Sequence, residues 1–128
     1  MQAISTQGAP KAIGPYSQGT VWNDLIFLSG QIGINPASGN IESTSTEAQT
    51  AQVMKNLESV LKASGSDLSH VLRCTVFLTN LDDFQAFNVV YGSYFASAPP
   101  ARTTVQVAKL PKGAKVEIDA IAYRGSPR

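Results

Sequence analysis

The sequence predicts an α+β fold, with about six strands in one mixed sheet and two helices on one face. Three observations point there. Residues 102–108 alternate strictly, with Arg102, Thr104, Gln106 and Ala108 on one side and Thr103, Val105 and Val107 on the other; a period of two is a strand signature. Lys115 to Ala122 alternates in the same way and carries Glu117 and Asp119. Between the opening and closing strands, two apolar sets recur at helical spacing: Val53, Met54, Leu57, Val60, Leu61, and then Phe84, Phe87, Tyr91, Phe95.

Taken in order, Gln2 to Thr6 reads as a short strand and the Gly- and Pro-rich stretch Gly8 to Pro15 as a loop. Gly19–Trp22 and Leu25–Ser29 flank Asn23-Asp24, a two-residue hairpin turn. Leu25-Ile26-Phe27-Leu28 is continuously apolar, which suits a strand covered on both faces. Residues 30–40 hold three glycines and a proline and read as a structured loop. Thr44 to Glu47 matches the T-x-x-E cap of the first helix, and Ser64-Gly65 stops it. Leu72, Cys74, Val76 and Leu78 mark the inward side of the next strand. Asn80 or Asp82 opens the second helix, and Ala98-Pro99-Pro100 ends it. The two closing strands are joined by Lys109 to Ala114.

A chain of 128 residues fits a single domain, 1–128. Only 15% of residues are charged against 43% hydrophobic, so there is little charge to cover the surface, which favours an oligomer. Two helices cannot cover both faces of a six-stranded sheet; the bare face should meet another subunit. The formal net charge of +1 gives no general case for nucleic acid. Six of the ten basic residues (Arg102, Lys109, Lys112, Lys115, Arg124 and Arg128) lie in the last fifth of the chain, without interleaved aromatics, and read as a solubilising rim. Cys74 is the only cysteine, so no intrachain disulfide forms and a reducing compartment is implied. It reads as a core residue, and His70, without a partner motif, as a loop or cap residue. One Cys and one His make no structural zinc site. No secretory signal and no run of about 20 apolar residues occurs. A soluble cytoplasmic protein is expected, with an organelle after loss of a targeting segment as the alternative.

Five polar features stand in unusual places. Arg102 heads a strand, where a planar donor fork suits a carboxylate or phosphate; a solvated strand-end Arg is the commoner case. Asn88 shares the aromatic face of the second helix; an isolated Asn there more often ties down a loop carbonyl. Ser29-Gly30 leaves an apolar strand, where bare N–H groups and a hydroxyl suit a ligand or an ordinary strand exit equally. Tyr16 after Gly14-Pro15 covers a ligand or packs its own loop. Glu117 lies on a mixed strand face, where most glutamates are simply solvated.

Together these features form four ordered motifs: Ala12-Ile13-Gly14-Pro15-Tyr16-Ser17-Gln18-Gly19, Leu28-Ser29-Gly30-Gln31-Ile32-Gly33, Pro100-Ala101-Arg102-Thr103 and Val116-Glu117-Ile118-Asp119-Ala120-Ile121-Ala122. They resemble the RidA (YjgF-type) imine deaminase family, over about Ile4 to Tyr123. The resemblance implies a chorismate-mutase-like fold and a homotrimer whose sheets form a central barrel with three inter-subunit clefts. It also implies hydrolysis of 2-imino acids and their enamine tautomers (2-iminobutanoate, and 2-iminopropanoate from 2-aminoacrylate) to 2-keto acids and ammonia. That activity would protect pyridoxal-phosphate enzymes.

Carried onto this chain, Arg102 looks like the carboxylate-binding arginine and Glu117 like the acid that positions or activates water. Tyr16, Ser29, Gly30 and Asn88 look like cleft-lining positions. Thr104 departs from the cysteine that many members carry there, which removes thiol reactivity and adds a stronger hydroxyl. No metal or organic cofactor is implied. Two other classes of function compete: a 2-keto-acid-binding regulatory protein, and an endoribonuclease or translation inhibitor, against which the near-neutral charge speaks. A chaperone role is a further alternative.

Overall fold

The computed structural model describes residues 1–95 and 97–125; of the basic rim, Arg128 lies outside them. β1 (Gln2–Ile4), β2 (Gly19–Trp22) and β3 (Leu25–Ile32) are consecutive antiparallel strands. The expected Asn23-Asp24 turn joins β2 to β3, and Asn23 takes the positive φ of 55° that Asn tolerates better than most residues. β3 is longer than its apolar run suggests. Its pairing with the last strand shifts register between Leu28 and Gln31, so Ser29-Gly30 lies at a bulge inside the strand and not at its exit. The expected 30–40 loop therefore contains the end of β3. It also contains a small ribbon of β4 (Ile34–Asn35) and β5 (Asn40–Ile41).

α1 (Thr46–Ala63) starts one residue later than T-x-x-E predicts. Ser45, not Thr44, is the cap, its Oγ accepting from the Ala48 N–H at 3.0 Å. Glu47 still lies in the first turn, where the helix dipole favours an acid. Val53, Met54, Leu57, Val60 and Leu61 are all buried. Ser64 is the C-cap, and Gly65 follows at φ 79°, a left-handed conformation in which a Cβ is strained.

The inward stripe of α1 also carries polar residues. Asn56 is fully buried and donates from Nδ2 to the carbonyls of Ile32 (3.2 Å) and Ile34 (2.9 Å). Gln49 donates to the Ser43 carbonyl and accepts from the Lys115 N–H, both at 2.8 Å. These amides satisfy buried backbone groups where strand pairing becomes irregular.

β6 (Val71–Leu78) shows a second departure. A register shift between Val71 and Arg73 turns Val71 inward and leaves Leu72 46% exposed, against its expected inward position. Cys74 is buried, and burial pushes its thiol pKa up, in keeping with a core role. His70 ends a short 3-10 turn (Leu68–His70) and stacks on Tyr123 at 4.4 Å. Asn80 caps another such turn (Leu81–Asp83) that leads into α2 (Phe84–Ser93). α2 stops before Ala98-Pro99-Pro100, with Tyr94 as its C-cap, so Phe95 lies beyond the helix while its ring still packs 4.9 Å from Tyr91.

β7 (Ala101–Gln106) and β8 (Val116–Tyr123) complete a mixed six-stranded sheet of order β1-β2-β3-β8-β6-β7, with only β6 and β7 parallel. The two closing strands are thus not neighbours, because β6 lies between them. Val116, Ile118, Ala120 and Ala122 of β8 are buried in the core with α1 and α2. On the opposite face no helix packs, and Trp22, Leu25, Phe27 and Val105 remain 37–61% exposed.

Candidate active site

Two clusters hold the sequence-predicted site residues. The first surrounds Arg102. β7 is the sheet edge, and its parallel register sets Arg102 beside buried Cys74, which fixes the helix-covered side for Arg102, Thr104 and Gln106. Arg102 Nη1 donates to Asn88 Oδ1 at 2.9 Å. Its Cζ lies 4.9 Å from the Tyr91 ring centroid, 5.4 Å from Phe84 and 5.6 Å from Phe87. Residues three and four apart share one helix face, so α2 delivers three rings and one amide to a single guanidinium. The rings attract the cation and limit its rotation. Asn88 is therefore a partner of Arg102, and among the described residues it ties down no loop carbonyl.

Thr104 Oγ1 is buried with no hydrogen-bond partner among the described residues, and Tyr91 Oη is buried beside the Cys74 thiol. Burial, with Cys74 adding to it, pushes the Tyr91 hydroxyl far up, so it is a neutral donor at any ordinary pH. A cavity of about 510 Å³ opens here between Asn88, Tyr91, Phe95, Pro99 and Arg102.

The second cluster surrounds Glu117, which lies on the helix-free face of β8 beside Ile32 of β3. Its carboxyl lies directly over Gly30. A Cβ built there comes within 2.9 Å of Glu117 Cδ and closer still to Oε2, so any side chain at this position would push the carboxyl out of its present place. Burial, and then the nearby Asp119 carboxylate, push the Glu117 pKa up. Asp119 accepts from the Thr75 N–H at 3.2 Å. Ser29 and Tyr16 line the same cavity, whose volume is about 380 Å³. Ser29 Oγ donates to the Ser17 carbonyl at 2.6 Å, and its own N–H donates to the Gln18 carbonyl at 3.1 Å. The strand bulge thereby holds the Tyr16 loop.

Gln18, absent from the sequence-based candidates, fixes the same loop from within. It is buried, accepts from the Thr6 N–H at 2.7 Å, and donates to the carbonyls of Thr6, Ala9 and Pro10 at 3.1, 3.3 and 2.8 Å. The signal for it was a Gln between a Gly/Pro-rich loop and a strand, where backbone groups lack ladder partners.

Within this chain, then, the structure brings Arg102 and Asn88 together, with Thr104 two residues along the same face of β7. It separately brings Glu117, Gly30, Ser29 and Tyr16 together. The sheet divides the two sets: Arg102 faces the helices and Glu117 faces away. Among the described residues, no three His, Cys, Asp or Glu side chains converge to hold a metal ion. No helix among them is long and apolar enough to cross a membrane.

The model of the endoribonuclease L-PSP family matches residues 6–124. Protein DfrA of Myxococcus xanthus is 57% identical over 123 residues, covering 94% of each chain. The human 2-iminobutanoate/2-iminopropanoate deaminase is 45% identical over 124 residues, covering 97% of this chain and 90% of its own. The crystal structure of E. coli TdcF with bound serine superposes with a TM-score of 0.93 at 40% identity, covering 98% of this chain and all of that one. With its two helices on a mixed sheet of six strands and this breadth of similarity, the chain belongs to the endoribonuclease L-PSP family and resembles its RidA (YjgF-type) members throughout.

Proposed function

We propose that the protein is a homotrimeric 2-imino acid deaminase whose active sites form between subunits. One observation carries this reading: each protomer presents an anion-binding half at its β7 edge and an acid-bearing half on the opposite sheet face, and neither is complete alone. In this reading a neighbour that covers the helix-free face sets its Arg102 against this protomer's Glu117 cavity. Covering that face also buries Trp22, Leu25 and Phe27, which favours association. The substrate class named for the human relative fits the chemistry of the two halves, and the amino acid bound in TdcF is likewise a small α-carboxylate.

Arg102, oriented by Asn88 and the rings of α2, holds the α-carboxylate through charge-assisted hydrogen bonds. Thr104 supplies an unspent hydroxyl on the same face of β7, and Tyr91 a neutral one beside the guanidinium. Glu117 takes a proton from water as the water oxygen bonds to the C=N carbon, and passes that proton to the imine nitrogen. The resulting carbinolamine collapses to the 2-keto acid as the C–N bond breaks. Glu117 takes the carbinolamine O–H proton as the C=O bond forms and gives it to the departing nitrogen, which leaves as ammonia. A carboxyl with a raised pKa suits both the taking and the giving of that proton. No cofactor enters the scheme.

The test couples threonine dehydratase and threonine to a semicarbazide trap. Wild-type protein should divert imine from the trap to 2-ketobutyrate, and Arg102→Ala should not. An unchanged trapped fraction with wild-type trimer would remove the enzyme reading and leave a 2-keto-acid-binding regulator. For RNA cleavage the structure offers less: His70, the only histidine, lines neither cavity and is stacked on Tyr123.

A further inference from the structure

The Glu117 cavity carries a charge that the deamination scheme does not use. Lys11 is the only cation among its lining residues, and Glu117 the only anion. The rest of the wall is largely apolar, with Ile13, Ile32, Ile34 and Pro111 contributing. Lys11 makes no ion pair among the described residues; the one recorded there joins Lys62 to Glu58. Its root is nevertheless held, because buried Gln18 ties down the carbonyls of the two residues before it. A long flexible stem on a fixed root lays its methylenes along the apolar wall and carries the ammonium towards solvent. The cavity thus combines one acid, a largely apolar wall and one ammonium that makes no ion pair among the described residues.

We infer that Lys11 is a specificity-determining residue that extends the substrate class to dicarboxylic 2-imino acids, the imines of acidic amino acids. This rests on the proposed function, in which Arg102 takes the α-carboxylate and Glu117 faces the imine carbon. The substrate side chain then lies along the apolar wall. A short alkyl chain ends among the isoleucines, whereas a chain ending in a second carboxylate meets Lys11. The contact is partly exposed, so its effect is modest and falls with salt.

Equilibrium binding of stable keto analogues tests Lys11 apart from catalysis. Calorimetry would compare 2-oxoglutarate with 2-oxobutanoate on wild type, Lys11→Met and Lys11→Arg, each checked as the intact oligomer. Lys11→Met should weaken 2-oxoglutarate roughly three- to tenfold and leave 2-oxobutanoate within about twofold. Lys11→Arg should retain the preference, and 0.5 M NaCl should erase it in wild type. Equal effects of Lys11→Met on both ligands, or no binding of 2-oxoglutarate to wild type, would overturn the inference. In the trapping assay, acceleration of 2-iminobutanoate loss together with an unchanged ligand ratio would sink Lys11 and spare the deaminase. Absence of acceleration with an intact ligand preference would do the reverse.

Discussion

Arg102 owes its value to what surrounds it. A guanidinium over three rings, with one nitrogen committed to Asn88, has lost most of its freedom before any ligand arrives. Arg102→Ala should lower kcat/KM by at least about 100-fold, because it removes a charge-assisted contact in a partly dry site. Steady-state kinetics on the intact oligomer checks this. Gly30→Ala should be nearly as damaging, by on the order of 100-fold, since its Cβ displaces the carboxyl that lies over it; Gly30→Ala activity within twofold of wild type would remove that explanation. Glu117→Gln should act mainly on kcat. Because burial and Asp119 raise the Glu117 pKa, the base form is lost at a higher pH than for a free glutamate. The acid limb of the kcat/KM profile should therefore lie above the usual carboxylate range, and Asp119→Asn should move it down.

The sign for stability is opposite to that for activity. A carboxyl with a raised folded pKa stabilises the fold while protonated. That contribution is lost as pH rises from the unfolded value through the folded one. Glu117→Gln should therefore be no less stable than wild type at neutral pH, by thermal melting. Arg102 and Glu117 were both legible in the sequence, because alternation alone places them on strands. Their separation onto opposite faces was not, since two strands read one after the other say nothing of the strand that pairs between them.

α1 shows at the scale of an element why the apolar pattern was only half the information. Its five apolar positions were readable from spacing. Gln49 and Asn56, seven apart on the same stripe, were not, because their partners are carbonyls and N–H groups of irregular segments 6 to 66 residues away. Asn56→Ala would leave the Ile32 and Ile34 carbonyls without these bonds in a fully buried place. It should cost roughly 2–4 kcal/mol in urea unfolding, where a surface Asn would cost little. Asn56→Ala should also lower activity, since those carbonyls flank the β3 segment that carries Gly30 into the site. The two register shifts, at Leu28/Gln31 and Val71/Arg73, were likewise invisible. A bulge is set by the partner strand, not by the strand's own residues, and each one turned an expected side chain or strand end.

At the scale of the whole molecule, the sheet is a partition. One face is sealed by two helices; the other offers Glu117, its cavity and exposed Trp22, Leu25 and Phe27. That imbalance followed from counting helices against strands, and under the proposed function it makes assembly part of the chemistry. Phe27→Asp, on the bare face and outside the buried core cluster, should weaken the proposed trimer in sedimentation while the protomer stays folded.

Subunit mixing tests the shared site most directly. Arg102→Ala and Glu117→Gln are each inactive in this account, but co-expressed on separately tagged chains they form mixed trimers in which one cleft of three has both residues. Random assembly should restore roughly one quarter of wild-type imine hydrolysis. Mixed trimers that stay as inactive as either parent would contradict a site built between subunits.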